Sequence, residues 1–241
     1  MSENKLESID AVIFDIGDTL LRFPLSIEEY HFKFLKQILG DDFEVTSEQL
    51  SSAISIAEHV VGIHHFDSRV GYDHLITSDE WHLVDRTLLK ELGVTENIDD
   101  LAAQYQSLWV DLLESTGHAP LPGAKEILSY LKEKGYLLGI ASNWDRPPHK
   151  QLEEHGLLKF FDDIQWTLVR GYSKPSPYML IMASHNLGVN PGRCVFIGNS
   201  ITKDAEAAKR AGMKSILLGP YEQELDDVIV IKELIEIKEL L

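Results

Sequence analysis

Asp15, Ser142, Lys174 and Asp204 lie far apart along this chain, yet each stands just beyond a short apolar run or on the turn after one. Ala11-Val12-Ile13-Phe14 stops at Asp15 and turns through Gly17-Asp18. Leu137-Leu138-Gly139-Ile140-Ala141 stops at Ser142-Asn143, and Cys194-Val195-Phe196-Ile197 stops at Gly198-Asn199-Ser200, with Asp204 five residues past Asn199. Lys174 follows a further apolar run, in Gly171-Tyr172-Ser173-Lys174-Pro175. A carboxylate can attack phosphorus to form an aspartyl-phosphate when a cation, a hydroxyl or amide donor and a lysine offset the charge on the transferring oxygens. On that chemistry Asp15 is the expected nucleophile, Ser142 and neighbouring amides the phosphate donors, and Lys174 the positive clamp. Asp204 would help hold Mg²⁺, a hard cation that favours oxygen ligands. Each residue alone has a plain structural role: Ser142-Asn143 as a helix cap, Lys174 as a solvated lysine before a proline turn, Asp204 as a first-turn acid. Their occurrence together at successive strand ends points to a site.

The elements that must position them are read from hydrophobic period. From Pro122-Gly123 onward, short apolar strands alternate with helices. The pattern predicts a helix over 123–134, a strand over 136–141, a helix near 148–156, a strand over 164–169 and a helix over 177–187. A strand over 194–197, a helix over about 202–211 and a strand over 215–218 follow. Val228-Ile229-Val230 fits a last strand and 232–241 a closing helix. Repeated strand–helix units of this length predict an α/β fold with a parallel sheet covered on both faces, whose polar strand ends converge on a crevice beyond the carboxyl edge.

Residues 24 to about 118 differ in character. Ser26 with Glu29, Thr46 with Gln49 and Thr77 with Glu80 have capping-box spacing. Apolar stripes at helical spacing follow: Ile27, Tyr30, Phe34, Ile38; Leu50, Ile54, Ala57; Trp81, Val84, Leu88, Leu92; and Leu101, Tyr105, Leu108, Trp109, Leu112. They predict a four-helix insertion with the aromatics in its core. His59, His64, His65, His74 and His82 also fall here. Gly62 and Ile63 occupy the positions three and four after His59, so no helical metal pair forms, and these histidines read as scattered surface and loop residues. Loop 63–76 is the stretch expected to face a substrate.

A formal charge of −17, from 22 Lys and Arg against 39 Asp and Glu, would repel nucleic acid and anionic membranes. Cys194, the single cysteine, excludes an intramolecular disulfide and fits a reducing compartment. The polar start Met1-Ser2-Glu3-Asn4-Lys5 leads into no signal-like apolar stretch, and no run approaches the ~18 residues of a membrane span. The expected location is the cytoplasm; oligomeric state is not readable.

Phe14-Asp15-Ile16-Gly17-Asp18-Thr19-Leu20, Ile140-Ala141-Ser142-Asn143, Lys174-Pro175-Ser176-Pro177 and Gly198-Asn199-Ser200-Ile201-Thr202-Lys203-Asp204 resemble, in order, the four motifs of the haloacid dehalogenase-like hydrolase superfamily. Within it, Asp18-Thr19-Leu20-Leu21-Arg22 and Ser142-Asn143-Trp144-Asp145-Arg146 look most like the rhythmically-expressed-gene-like group. The resemblance implies a Rossmann-like doubly wound core formed by 1–23 and 119–241, with a helical cap domain over 24–118. It also implies Mg²⁺-dependent hydrolysis of a small phosphorylated metabolite. Asp15, Ser142 and Lys174 would be catalytic and Thr19 and Asn143 substrate-binding. Asp15, the Gly17 carbonyl, Asn199 and Asp204 would be metal ligands. Two departures stand out. Gly17 occupies the place where phosphatases of this superfamily usually carry a second Asp that protonates the leaving oxygen and then activates water, and Asp18 is one position too far along. Asn199 replaces the usual acidic metal ligand. Two alternatives stay open: a 2-haloacid dehalogenase, although the first 100 residues carry arginine only at 22, 69 and 86, and a non-catalytic phosphometabolite binder.

Overall fold

A computed structural model describes residues 6–60, 78–114, 118–144, 147–169, 171–221 and 225–241. These fall into two compact units, one built from 6–22 and 118–241, the other from 23–60 and 78–114. In chain order the first unit contributes β1 (Ala11–Phe14) and β2 (Leu21–Arg22). The second contributes α1 (Ile27–Leu39), α2 (Ser47–Val60), α3 (Ser78–Glu91) and α4 (Ile98–Glu114). The chain then returns to the first through β3 (Ala119–Pro120), α5 (Ala124–Glu133), β4 (Leu137–Ser142), α6 (His149–Glu154), β5 (Asp163–Trp166) and α7 (Tyr178–Asn186). It closes with β6 (Cys194–Gly198), α8 (Glu206–Ala211), β7 (Lys214–Leu218), β8 (Val228–Ile231) and α9 (Ile237–Leu240).

Six parallel strands form the sheet in the order β5-β4-β1-β6-β7-β8. Both faces are covered, which is why β1 has no polar residue: Val12 and Phe14 pack with α5 residues Ile127, Leu128 and Leu131, while Ala11 and Ile13 pack with Met179, Leu180 and Ala183 of α7 and Ala207 and Ala208 of α8. This is the parallel, doubly covered sheet that the strand–helix alternation predicts and the Rossmann-like, doubly wound core that the family resemblance implies. The chain leaves β1, builds outward through β4 and β5, then crosses back to β6 on the other side, so strand order reverses at β1. Open sheets of this kind bind ligands at that reversal.

Three elements differ from expectation. The third expected strand ends at Trp166, not 169: the Thr167 amide makes a last bond to the Ser142 carbonyl at 3.2 Å, and its Oγ1 then accepts from the Val169 amide at 2.9 Å. The closing helix is split. Glu236 accepts from the Lys232 and Glu233 amides at 2.8 and 2.7 Å, so a 3₁₀ turn over Leu234–Glu236 precedes α9. Antiparallel β2 and β3, two residues each, are too short to leave a hydrophobic period. Among the described residues no helix is long and apolar enough to cross a membrane.

In the second unit the Ser26–Glu29 and Thr46–Gln49 boxes both close reciprocally. Thr77, loop 63–76 and His64, His65 and His74 lie outside the described residues. The core holds Tyr30, Phe34, Leu35, Leu50, Ala53, Ala57, Val84, Leu88, Leu89, Ala102 and Tyr105, with Trp109 edge-on to Phe34 at 5.0 Å. Ile27 and Trp81, on the first turns of their helices, stay exposed instead of joining their stripes.

Two titratable groups of this unit, buried Asp85 and half-buried His31, change stability with pH in opposite directions. Burial pushes Asp85 up to about 7, and holds His31, hydrogen-bonded to Tyr105, down at about 4. Between its ordinary carboxyl range and about pH 7, folded Asp85 keeps a proton that the unfolded chain has lost, so its contribution to stability falls as pH rises. Folded His31 stays neutral where the unfolded imidazole protonates, so its contribution falls as pH drops from 6.5 toward 4. Asp85→Asn removes only the first slope. Thermal unfolding should show the variant more stable than the parent by about 1–3 kcal/mol near pH 8, with the difference vanishing toward pH 4.

Candidate active site

Strand register builds the site. Phe14 pairs with Ile140 on one side and Ile197 on the other, so Asp15, Ser142-Asn143 and Gly198-Asn199 emerge together at the carboxyl edge. The Asp15 amide donates to the Ile197 carbonyl at 2.8 Å, which carries the ladder one residue further and fixes where the carboxylate starts. Lys174 arrives from the loop between β5 and α7.

Asp15 Oδ1 accepts from Ser142 Oγ at 2.8 Å and from Lys174 Nζ at 2.6 Å, and the same ammonium lies 2.7 Å from Asp204 Oδ1. All four side chains are buried, and the ammonium also sits 5.0 Å from the Phe196 ring centroid. Burial pushes the Asp15 carboxyl up against the downward pull of Lys174. Burial alone would lower Lys174, yet Asp15 and Asp204 hold its ammonium above the ordinary range. The neighbouring acids thus favour the ammonium of Lys174, and one oxygen of Asp15 is fixed by two donors.

Asp204 is held in turn. Its Oδ2 accepts from the Asn199 and Ser200 amides, each at 2.9 Å. Where a plain α-helix is expected from about 202, Ile201–Ala205 form a wide π-turn, and both the Asp204 and Ala205 amides donate to the Ser200 carbonyl. The turn lets Asp204 reach back over its own start. Gly198 completes the fit, because a Cβ there would fall far inside van der Waals contact with the Asp204 carboxylate. The Asn199 carbonyl takes a short hydrogen bond from the Tyr221 hydroxyl. Neither Gly198 nor Tyr221 is readable as a site residue from strand-end polarity, since one has no functional group and the other stands 22 residues on.

Asn143 is engaged by protein. Its Oδ1 accepts from the Lys174 amide at 2.7 Å and its Nδ2 donates to the Lys174 carbonyl at 3.0 Å, so the expected substrate ligand clasps the lysine backbone. Thr19 is fully buried, and among the described residues its Oγ1 has no hydrogen-bond partner. Gly17 is partly exposed, 3.7 Å separating an added Cβ from the Trp144 ring. Asp18 sits on left-handed backbone (φ 52°) and lines a hollow of about 640 Å³ with Arg22, Asn199, Tyr221 and Lys232.

Among the described residues no three His, Cys, Asp or Glu side chains cluster to hold a metal. The motif residues offer oxygen only: the Asp15 and Asp204 carboxylates, the Gly17 carbonyl and the Asn199 amide. That donor set fits a hard cation such as Mg²⁺, with one charged ligand fewer than an acid at 199 would give. One ammonium against two carboxylates also leaves the cluster net negative, which a phosphoryl dianion meets only with added positive charge.

Gly198→Ala should push Asp204 off Lys174 and cost about 3–5 kcal/mol, the usual cost of breaking a buried pair, read as a lower urea midpoint. In an Asp204→Ala background the same substitution should cost far less, because the carboxylate it strikes is gone.

The haloacid dehalogenase-like hydrolase family matches residues 9–212. Haloacid dehalogenase-like hydrolase domain-containing protein 3 of Bos taurus is 29% identical over 212 residues, covering 86% of this chain and 81% of that protein. The glyceraldehyde 3-phosphate phosphatase of Methanopyrus kandleri is 27% identical over 225 residues, covering 89% and 86%. Among solved structures, the HAD-hydrolase YfnB from Bacillus subtilis bound to magnesium superposes with a TM-score of 0.68 at 21% identity, covering 98% of this chain and 99% of that one, a likeness of fold alone. With strand order, strand-end residues and family match in agreement, the chain belongs to the haloacid dehalogenase-like hydrolases.

Proposed function

We propose that the protein is a Mg²⁺-dependent phosphatase that hydrolyses a small phosphorylated metabolite through an aspartyl-phosphate on Asp15. The observation that carries this reading is the fixing of Asp15 Oδ1 by Ser142 and Lys174 at the sheet edge where strand order reverses. Two donors on one oxygen orient the carboxylate for in-line attack, and both stand ready beside the transferring oxygens. Asn143 keeps Lys174 in place through its backbone, while Asp204 anchors the ammonium from the far side. Mg²⁺ held by Asp15, the Gly17 carbonyl, Asn199 and Asp204 would supply the positive charge that the cluster lacks. Phosphatases among the relatives and a magnesium-bound structural neighbour support the reading. The helical unit over 24–118 would serve as the cap, and the chain's acidity and lack of a membrane-length apolar run fit a cytoplasmic protein with a small-molecule partner.

A second reading, 2-haloacid dehalogenation, draws on Gly17 and Asn199, because a departing halide needs neither a proton nor a cation. Chloride released from 2-chloropropionate without Mg²⁺ would favour it.

A panel of phosphate esters with Mg²⁺ tests the main reading. Asp15→Asn should abolish phosphate release. Lys174→Met should lower kcat by about 10²–10³, the usual effect of removing a donor to developing charge. Failure of the parent to release phosphate from any ester, or equal rates with Asp15→Asn, would overturn it. Asn199→Asp adds a charged ligand, and calorimetric Mg²⁺ titration should give an affinity about tenfold or more above the parent.

A further inference from the structure

The phosphatase reading leaves one step without a partner. When Asp15 Oδ attacks phosphorus, the bond from phosphorus to the leaving oxygen breaks and that oxygen departs with the electron pair. An alkyl ester leaves as an alkoxide, about as basic as hydroxide (water pKa ~15.7), and needs a proton at once. Among the described residues of the core unit, none around Asp15 is set to give one. Lys174 Nζ is clamped between two carboxylates, 2.6 Å from Asp15 Oδ1 and 2.7 Å from Asp204 Oδ1. Asp204 has both oxygens engaged, by Lys174 and by two amides, and Ser142 donates to Asp15 itself. Asp18 is exposed on left-handed backbone, in the wall of the hollow it shares with Arg22 and Asn199. His118, packed on Trp144, is kept neutral, its imidazole pushed down to about 4 by burial.

Gly17 is not there for its backbone. Its φ lies outside the left-handed region, and an added Cβ would meet only Trp144 at an ordinary 3.7 Å. The turn is closed by other atoms, with the Thr19, Leu20 and Leu21 amides all donating to the Ile16 carbonyl. Among the described residues a Cβ would fit at 17, so what the position lacks is chemical.

We propose, resting on the phosphatase reading, that this site takes phosphoryl donors whose leaving group departs as a stabilised anion, acyl phosphates above all, and discriminates against alkyl phosphate monoesters. A carboxylate leaving group, with a conjugate-acid pKa of about 4, departs without protonation. Water then attacks phosphorus, the bond to Asp15 breaks, the carboxylate is regenerated, and the water proton passes to solvent with the phosphate. Without a base beside Gly17 this second step is slow, so phosphorylated Asp15 accumulates.

The test is a rapid-quench comparison of acetyl phosphate and glycerol 3-phosphate with Mg²⁺, using the parent, Gly17→Asp and Asp15→Asn. The expected kcat/KM ratio favours acetyl phosphate by at least ~10² in the parent, the value of a missing general acid. A burst of about one acetate per chain should accompany a phosphate adduct on Asp15 by mass spectrometry. Gly17→Asp should narrow the ratio at least ~10-fold. Equal kcat/KM for both donors in the parent overturns the inference whether or not the variant folds, and so does a ratio unmoved in a folded Gly17→Asp. Phosphate release from neither donor, or release unchanged in Asp15→Asn, overturns the phosphatase reading and this inference with it.

Discussion

Lys174, an ammonium buried between two carboxylates, is the constraint around which the core unit is arranged. Removing a charge from water costs several kcal/mol, and only close, well-directed partners offset it. Asp15 and Asp204 supply them at 2.6 and 2.7 Å, and their positions follow from strand order. Because β1 and β6 are neighbours, the acid at the end of one and the acid on the turn after the other lie on either side of a single lysine. Because β4 flanks β1 on its other side, Asn143 reaches the lysine backbone and Ser142 reaches Asp15. The π-turn, the amides on Asp204 and the bare Gly198 serve to bring one carboxylate within reach of that ammonium.

What could be read in advance divides along physical lines. β1, β4 and β6 were legible because a strand buried on both faces has no polar residue until it ends, so its last residue marks the sheet edge. The same property made Asp15, Ser142 and Asn199 visible as one constellation. Asn143 shows the limit of that signal. It stands at the edge as predicted, but its partner is the backbone of a residue 31 positions away, and side-chain type alone cannot tell a ligand from a clasp. Thr19 shows another limit, since a motif spacing does not tell that the hydroxyl is fully buried. The helical unit was legible through its capping boxes and stripes, and it departs where first-turn residues such as Ile27 and Trp81 keep the period yet stay exposed.

Gly198 and Gly17 are both glycines at strand ends and carry opposite meanings. At 198 a side chain cannot exist without displacing Asp204, so the glycine is structural. At 17 there is room and ordinary backbone, so the absence of a side chain changes chemistry and leaves the fold alone.

In the proposed reaction an added cation offsets the net negative charge of the cluster, and the ammonium contributes as the transfer proceeds. Lys174 is already shared between two carboxylates, so in the resting state little of its charge is available to a substrate. In the proposed reaction Asp15 loses its carboxylate charge as it bonds to phosphorus, and that charge moves onto the phosphoryl oxygens. Lys174 is then relieved of one partner at the moment a new one forms beside it, and Ser142 is in the same position. Donors already set for the nucleophile need little reorganisation to stabilise the transferring group, so their attraction grows along the reaction coordinate and favours the transition state over the ground state.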